Sequence, residues 1–241
     1  MAVWADGTWE ELENRHRAPQ GAFSLSTEDT ARLMSRPPLV LLHSHCHGSA
    51  EVSDADSLCQ RASGWTWGIV AVTVNEYGEV YHVATPEYFG PLAPRPPLEG
   101  RTYLWGVRDC FTLLRDYYAE QGITLGDVLR IRTPAIYPAS HWAHRYFDHW
   151  IKQLGFKEVA RHERLPGDAV TMQVEGAMQA NHCAIYMGEG KYMQQFTKRT
   201  SGIFQTDHED RYLERTSARF YRLKAANAKS RSTRSVQGAA S

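Results

Sequence analysis

Apolar and polar positions follow one another along the chain in blocks that predict alternating strands and helices. The apolar run in "PPLVLLHSH" (37–45) comes after two prolines and predicts a short buried strand. "WTWGIVAVTV" (65–74) predicts a second strand, which the turn "NEYG" joins to "EVYHVAT" (79–85) in a hairpin. Between these strands, "SDADSLCQRA" begins at Ser53, a favourable N-cap, and predicts a helix that ends near Ala62.

A proline-rich segment separates this part of the chain from the rest. "GPLAPRPPLEG" (90–100) contains four prolines and two glycines, so it cannot continue a helix or a central strand. We therefore predict a first domain over 1–89, a linker over 90–100 and a second domain over 101–224. The small, basic and polar residues 225–241 predict a disordered tail.

The second domain is predicted to contain two core-packing helices and a hairpin. The first helix spans 109–122 and stops at Gly122, and the second lies within "PASHWAHRYFDHWIKQLGF" (138–156). "HCAIYMGEGKYMQQF" (182–196) predicts a hairpin closed by the loop Gly188-Glu189-Gly190. Apolar residues at helical spacing are predicted to pack in the core; they are Phe111, Leu114, Tyr117, Tyr118, Trp142, Tyr146, Trp150 and Leu154.

Composition and charge exclude several classes of protein. A chain of 241 residues is long enough for two domains, and its 27 basic and 27 acidic residues leave no excess charge to attract nucleic acid. The longest apolar stretch is about half of a membrane-spanning helix, and the N-terminus lacks a basic segment followed by an apolar run. We expect no nucleic-acid partner, no membrane span and synthesis in the cytosol. The 4 cysteines are too few for a disulfide framework and are predicted to be free thiols.

A metal site is predicted where the first strand ends. His43 and His45 point to the same side of a strand, because side chains alternate, so both imidazoles can reach one ion. Asp56, in the first turn of the next helix, offers a third ligand and leaves a fourth position for water, as in a catalytic zinc site. Ser53 is placed to hold that water. Two alternatives remain open: histidines that only end a buried strand, or a closed zinc site completed by two cysteines and a further histidine, Cys46, Cys59 and His47.

The spacing His-x-His, seven residues, Ser, two residues, Asp resembles the signature of the JAMM metallopeptidases. The resemblance implies a JAMM-like mixed sheet with helices, one zinc held by the two histidines and Asp56, and an upstream glutamate base followed by a glycine. Glu10, Glu11 and Glu13 are not followed by such a glycine. We therefore expect the fold and the zinc, and assign no base for metallopeptidase activity.

A second reactive group is predicted at Cys110. It begins a predicted helix, where unpaired backbone N–H groups and the helix dipole stabilise a thiolate. A cysteine nucleophile also needs a base and a group that orients the base. The alternative is a buried, unreactive thiol at a helix start.

The hairpin over 182–196 offers the other two groups. If Met187 pairs with Lys191, His182 lies opposite Phe196 and Gln194 is its diagonal neighbour on the same face. A two-residue loop would turn that glutamine to the other face. Cys183 points away from His182 and is predicted to be a core residue.

From Tyr103 to Phe196 the chain resembles the NlpC family of papain-like cysteine peptidases, which cleave the peptide stems of bacterial cell walls. The motifs are "Y-x-W-G" before "D-C", the "PGD" turn at 166–168 and "NH-x-A-I-Y-x-G-x-G". The resemblance implies a helix bearing the cysteine, packed on an antiparallel sheet. It also implies a nucleophile, a general base, an orienting residue and a residue that binds substrate or the oxyanion, which are Cys110, His182, Gln194 and Tyr103.

A JAMM-like domain followed by an NlpC-type domain resembles the tail tip assembly proteins of lambdoid phages. The resemblance implies an α/β (α+β) protein that hydrolyses peptidoglycan stem peptides through a thioester at Cys110. The partners that it implies are the stem peptide and other tail tip proteins, with zinc as the cofactor. It places the protein in the host cytoplasm during assembly, or in the virion tail tip. The alternatives are a non-enzymatic assembly or scaffold factor and a zinc isopeptidase that processes a tail protein.

Overall fold

The computed structural model describes residues 1–19, 21–132, 134, 138 and 140–224. The tail predicted to be disordered, 225–241, lies outside the described residues. The chain forms two compact units, each with its own sheet. Among the described residues, no helix has both the length and the apolar character needed to cross a bilayer.

The division between the units falls inside the proline-rich segment. The first unit contains Met1–Pro96, and the second begins at Pro97, so that part of the predicted linker 90–100 belongs to each. The first unit also includes Leu104–Val107 and Leu129–Arg132, which sequence composition had placed in the second domain. The chain therefore passes between the units more than once.

Backbone hydrogen bonds explain why the first of these later segments belongs to the first unit. Val52 N donates a hydrogen bond of 3.1 Å to Trp105 O. The neighbouring Gly106 has φ +77°, and a Cβ at this position would lie 2.5 Å from the side chain of Val52. The glycine of the "Y-x-W-G" motif thus permits a close approach that no other residue allows. Pairing between segments so distant in sequence leaves no trace in composition.

The first unit is a mixed sheet with two helices. The strand order is β2-β1-β3-β4-β5, and β6 also pairs with β4. Only β3 and β4 are parallel among the pairs of this sheet in the described residues. The elements are β1 (Ala2–Val3), β2 (Trp9–Glu10), α1 (Thr27–Ser35), β3 (Val40–His45), α2 (Asp54–Ser63), β4 (Thr66–Val74), β5 (Val80–Val83) and β6 (Glu87–Phe89).

Local sequence accounts for the central part of this unit. Ser53 caps α2, and Gly64 ends it in the left-handed conformation with φ 71°. The predicted strands, the helix between them and the β4–β5 hairpin are confirmed. The strands β1, β2 and β6 are two or three residues long, too short to show a period of two. The helix α1 was also not predicted.

The second unit is an antiparallel sheet with helices on both faces. The strand order is β11-β10-β9-β8-β12-β7. The elements are α3 (Cys110–Glu120), a 3₁₀ turn (Trp142–Arg145), α4 (Tyr146–Gln153), β7 (Phe156–Val159), a 3₁₀ turn (Arg161–Glu163), β8 (Ala169–Met172), β9 (His182–Gly188), β10 (Lys191–Gln194), β11 (Gly202–Gln205), α5 (Glu209–Arg215) and β12 (Arg219–Leu223).

Alternation along β9 divides the core of this unit between the two faces of the sheet. Cys183 and Ile185 pack in the cluster that contains Leu113 of α3. Ala184 packs in the second cluster, which contains Leu213 of α5. Neighbouring residues of a strand point to opposite faces, so β9 supplies both cores. The helix bearing the cysteine packs on the antiparallel sheet, as the NlpC resemblance implied.

The second predicted helix is shorter than the sequence indicated. A 3₁₀ turn precedes α4, and its three residues per turn shift the positions that face the core. Phe147 and Ile151 are the buried residues of α4, so the predicted stripe was wrong in detail. Trp142 is half-buried and lies outside the core cluster, which corrects its assignment as a core residue. The other members of the stripe are partly buried against the core: Tyr146, Trp150 and Leu154.

Candidate active site and metal centre

Cys110 is the first residue of α3. Asp109 precedes it as the N-cap, and its Oδ1 accepts a hydrogen bond of 2.8 Å from Thr112 N. In return, Asp109 N donates to Thr112 Oγ1 at 2.7 Å, which completes a capping box. The thiol is 8% exposed and lies at the positive end of an 11-residue helix. This environment favours a thiolate.

The hairpin of β9 and β10 has the register that the sequence predicted, although the loop differs in detail. Lys191 pairs with Gly188, not with Met187 as predicted, and a bulge then shifts the register before the next residue. Beyond the bulge, Gln194 pairs with Ala184. The glutamine is thereby placed diagonally from the first residue of β9.

His182 is that first residue, and its ring is held from two sides. Its Nε2 lies 3.2 Å from Gln194 Oε1, and both residues are 4% exposed. Phe196 stacks on the imidazole, with 4.3 Å between ring centroids and 11° between planes. With Nε2 directed to the glutamine, Nδ1 is the nitrogen that remains for the sulfur of Cys110.

The electrostatics of the thiol match that geometry. A hydrogen bond with the Cys183 thiol lowers the pKa of Cys110, whereas burial raises it. His182 lowers this pKa as well, through a hydrogen bond and through its electrostatic interaction with the sulfur. The Asp109 carboxylate opposes the change, and the net pKa of the Cys110 thiol is about 5. The Cys110 thiol is therefore acidic enough to be a thiolate at neutral pH.

Sequence reasoning missed two residues that contact this group. Cys183 is a core residue, as predicted, but it is also the hydrogen-bond partner of Cys110. Tyr212 of α5 lies with its hydroxyl 3.5 Å from Gln194 Oε1 and 3.3 Å from Met172 Sδ. Adjacency to His182 in sequence was an available indication for the cysteine, whereas the tyrosine comes from a helix with no motif. Tyr103 is half-buried in the segment Pro97–Tyr103, and its contact with substrate stays a prediction.

The first unit contains a separate cluster of metal-ligating groups. His43 and His45 lie at the end of β3, and Asp56 lies in the first turn of α2. Their ligand atoms are all within 4.8 Å of one another, and no other such cluster of three or more residues occurs in the described part of the chain. Burial raises the pKa of Asp56, but hydrogen bonds from the two histidines and from Ser53 outweigh it, so that the pKa lies well below its usual range.

The spacing of these atoms fits a tetrahedral zinc. The two histidine Nε2 atoms are 3.1 Å apart, and they lie 3.1 Å and 3.3 Å from the Asp56 oxygens. Ligands at about 2.0–2.1 Å from a tetrahedral ion are about 3.3 Å from each other. His45 Nδ1 lies 3.1 Å from Ser49 O, which turns Nε2 towards the other ligands. The donor set and its spacing are those of a site with three protein ligands.

Other polar residues near this cluster have different placements. Ser53 is exposed, and its Oγ accepts a hydrogen bond of 3.1 Å from Asp56 N as the cap of α2. Its predicted contact with a water stays a prediction. Cys46, Cys59 and His47 do not belong to the cluster, so the alternative of a closed site with these ligands has no support in the described residues.

Comparison with known proteins identifies the second unit. The model of the NlpC/P60 family matches residues 100–222, just over half of the 241 residues. The chain belongs to the NlpC/P60 family.

Two further similarities were found. Tail tip assembly protein K of Escherichia phage lambda is 28% identical over 205 residues, which cover 83% of this chain and 87% of that protein. The solved structure of a protein described as similar to lipoprotein, NLP/P60 family, from Staphylococcus aureus subsp. aureus Mu50 aligns with 16% identity and a TM-score of 0.32. That alignment covers 47% of this chain and about a third, 35%, of the other chain.

Proposed function

We propose that the second unit is a cysteine peptidase that hydrolyses an amide bond in peptidoglycan stem peptides, and that the chain acts in the assembly of a phage tail tip. The observation that carries the proposal is the arrangement of a helix-start thiol beside an imidazole whose far nitrogen is held by an amide oxygen. Family membership supports a peptide hydrolase, and similarity to Tail tip assembly protein K supports the setting.

The geometry supports a two-step acyl transfer. With the proton of the thiol already held on Nδ1 of His182, the Cys110 thiolate attacks the substrate carbonyl carbon. Backbone N–H groups at the start of α3 stabilise the oxyanion. The C–N bond breaks, the amine leaves with the proton from the imidazolium, and a thioester remains. Water, deprotonated by the same imidazole, then releases the acid and restores the thiol. Gln194 holds the ring throughout.

We also propose that the first unit binds one zinc ion through His43, His45 and Asp56. The support is the spacing of the three ligands and the carboxylate that burial does not neutralise. A bound zinc supplies a cross-link between β3 and α2 and a Lewis acid. Glu10 forms an ion pair of 2.6 Å with Arg32, and we therefore do not assign it as the general base. We propose a structural role for this ion.

The peptidase proposal is tested by digestion of purified cell-wall muropeptides. The wild-type chain, Cys110→Ala and Cys59→Ala are compared, with products identified by mass spectrometry. Cys59 is an exposed thiol and serves as the matched control. We expect new amine and carboxyl ends with wild type and with Cys59→Ala, and no product with Cys110→Ala.

The result that contradicts the proposal is a Cys110→Ala chain that is folded by circular dichroism and cleaves at the wild-type rate. A folded wild-type chain that cleaves no muropeptide supports the non-enzymatic assembly factor instead. Cleavage that disappears on chelation but persists in Cys110→Ala supports the zinc isopeptidase.

A further inference from the structure

A cleft of about 510 Å³ opens in the second unit, apart from the groups described above. Its volume lies in the range of pockets that hold small molecules or peptide side chains. The cleft is formed by the face of α4 and the turn before it, the start of β12 and the loop before β9. Its lining residues are Trp142, Arg145, Asp148, His149, Lys152, Gln153, Gln179 and Arg219.

The register of the sheet places this cleft near the candidate active site. Arg219 pairs with Thr171 across β12 and β8, and Thr171 pairs with Cys183 across β8 and β9. Paired residues point to the same face, and two strand spacings amount to about 10 Å. Arg219 therefore lies on the face of the sheet where Cys183 contacts the nucleophile, about 10 Å away along one row. Gln179 lies only three residues before His182 in sequence.

The cleft carries an excess of positive charge. Arg145, the N-cap residue of α4, and Lys152 of that helix are about 10 Å apart along the helix axis, and both line the cleft. Neither forms an ion pair with any of the described residues. Arg219 faces Asp148, at 3.7 Å, and this carboxylate is the one acidic group among the lining residues. Two cations thus remain to bind an anionic ligand.

The remaining lining residues fit a peptide. Trp142 stacks with His149, with 5.0 Å between ring centroids and 19° between planes, and the two rings form a flat aromatic wall. Gln153 and Gln179 offer amide donors and acceptors. In a peptide with the polyproline II conformation, side chains three residues apart lie on one side and are separated by about 9 Å, close to the spacing of the two unpaired cations.

We propose that this cleft binds the carboxylates of an acidic peptide whose scissile bond lies at Cys110, and so selects the substrate of the peptidase. The inference rests on the proposed function and adds a binding site to it. The required chemistry is a peptide with carboxylates about 10 Å apart. A peptidoglycan stem peptide and an acidic segment of a tail protein both supply it, and the experiment separates these sources.

Binding is measured by calorimetry in the full chain with Cys110→Ala, so that no probe is cleaved. The probes are the stem tetrapeptide L-Ala-γ-D-Glu-diaminopimelate-D-Ala, the acidic peptide acetyl-Ala-Glu-Ala-Ala-Glu-Ala-amide, and its neutral Gln analogue. The test variant adds Arg145→Gln and Lys152→Gln. The control variant instead adds Lys157→Gln and Arg211→Gln, which remove the same charge at two exposed residues.

We expect the test variant to bind the stem tetrapeptide about tenfold more weakly, and the control variant to bind it within about twofold of the parent chain. If the affinity for the acidic peptide falls by the same factor, the cleft binds carboxylates from either source. Weakening for the stem tetrapeptide alone identifies the wall peptide as the ligand.

Two results overturn the proposal: equal affinities in the test and control variants, or equal affinities for the acidic and neutral peptides together with no binding of the stem tetrapeptide. Neither depends on turnover. If the wild-type chain cleaves muropeptides but the affinities do not change, the cleft proposal fails and the peptidase proposal stands. If binding depends on the cleft but no muropeptide is cleaved, the peptidase proposal fails and the cleft proposal stands.

Discussion

The imidazole Nε2 of His182 lies 3.2 Å from Oε1 of Gln194, inside a site where both residues are almost fully buried. An amide oxygen can accept a hydrogen bond from Nε2–H and fix the tautomer, but it carries no charge. The charged group that this ring contacts is therefore the Cys110 thiolate.

Gln194→Ala is expected to lower kcat/KM for muropeptide cleavage roughly 10²-fold, because the ring loses the group that orients it. Gln194→Glu retains an oxygen acceptor and adds a charge, so it is expected to retain more activity than the alanine variant. Gln205→Ala, an exposed glutamine in the same sheet, is the control and is expected to match wild type. Equal losses in the alanine and glutamate variants would contradict an orienting role.

The pH dependence of the alkylation of Cys110 tests whether its contact with Cys183 lowers the pKa of the thiol. The pKa of Cys110 is about 5, so its rate of alkylation by iodoacetamide should be constant near neutral pH and fall as pH drops through about 5. Cys183→Ala removes the first of the groups that lower this pKa, and the midpoint should move to higher pH. Cys183→Ser keeps a hydrogen-bond donor and should retain a low midpoint.

Peptide mapping assigns the alkylated residue, since the exposed Cys59 reacts as well. An unchanged midpoint in Cys183→Ala would show that His182 and the helix start lower the pKa by themselves.

Much of this site could be predicted from the sequence because its parts lie at positions that local rules determine. A cysteine after a capping residue begins a helix, and the register of a hairpin with a known loop decides which face Gln194 shares with His182. The structure brings these residues together as predicted, and their catalytic roles stay proposals. The loop pairing differed by one residue, and the bulge after Lys191 compensated for it.

What the sequence did not indicate depends on contacts between distant elements. Tyr212 reaches Gln194 from a short helix on the other face of the sheet, and no motif marks it. The 3₁₀ turn before α4 moved Trp142 out of the core, because a helical period was assumed where three residues complete a turn. The cleft beside α4 arises from the same shift, since Trp142 became part of its wall.

Zinc binding by the first unit is tested by elemental analysis and by competition with a chelator. We expect one zinc per chain in wild type. His45→Ala and Asp56→Ala each remove a ligand and should weaken binding by more than the roughly 10–100-fold that the loss of a ligand's hydrogen-bond partner costs. Cys110→Ala should bind zinc as wild type does.

Ser53→Ala is the matched control for this experiment. It removes the cap of α2 but none of the three ligands, so it should retain zinc and lose about 1 kcal/mol of stability. Metal-free wild-type chain of unchanged stability after purification with added zinc would contradict the proposed site.

Substitutions at Asp109 distinguish its effect on the stability of α3 from its effect on the pKa of the Cys110 thiol. Asp109→Ala removes the acceptor of the capping box and should destabilise the chain by about 1 kcal/mol, measured as the free energy of unfolding in urea. Asp109→Asn keeps an oxygen acceptor, so its stability should remain close to that of wild type. Because the carboxylate raises the pKa of Cys110, the asparagine variant should also show alkylation that persists to lower pH. If both variants lose the same stability, the charge of Asp109 rather than its hydrogen bond supports the helix.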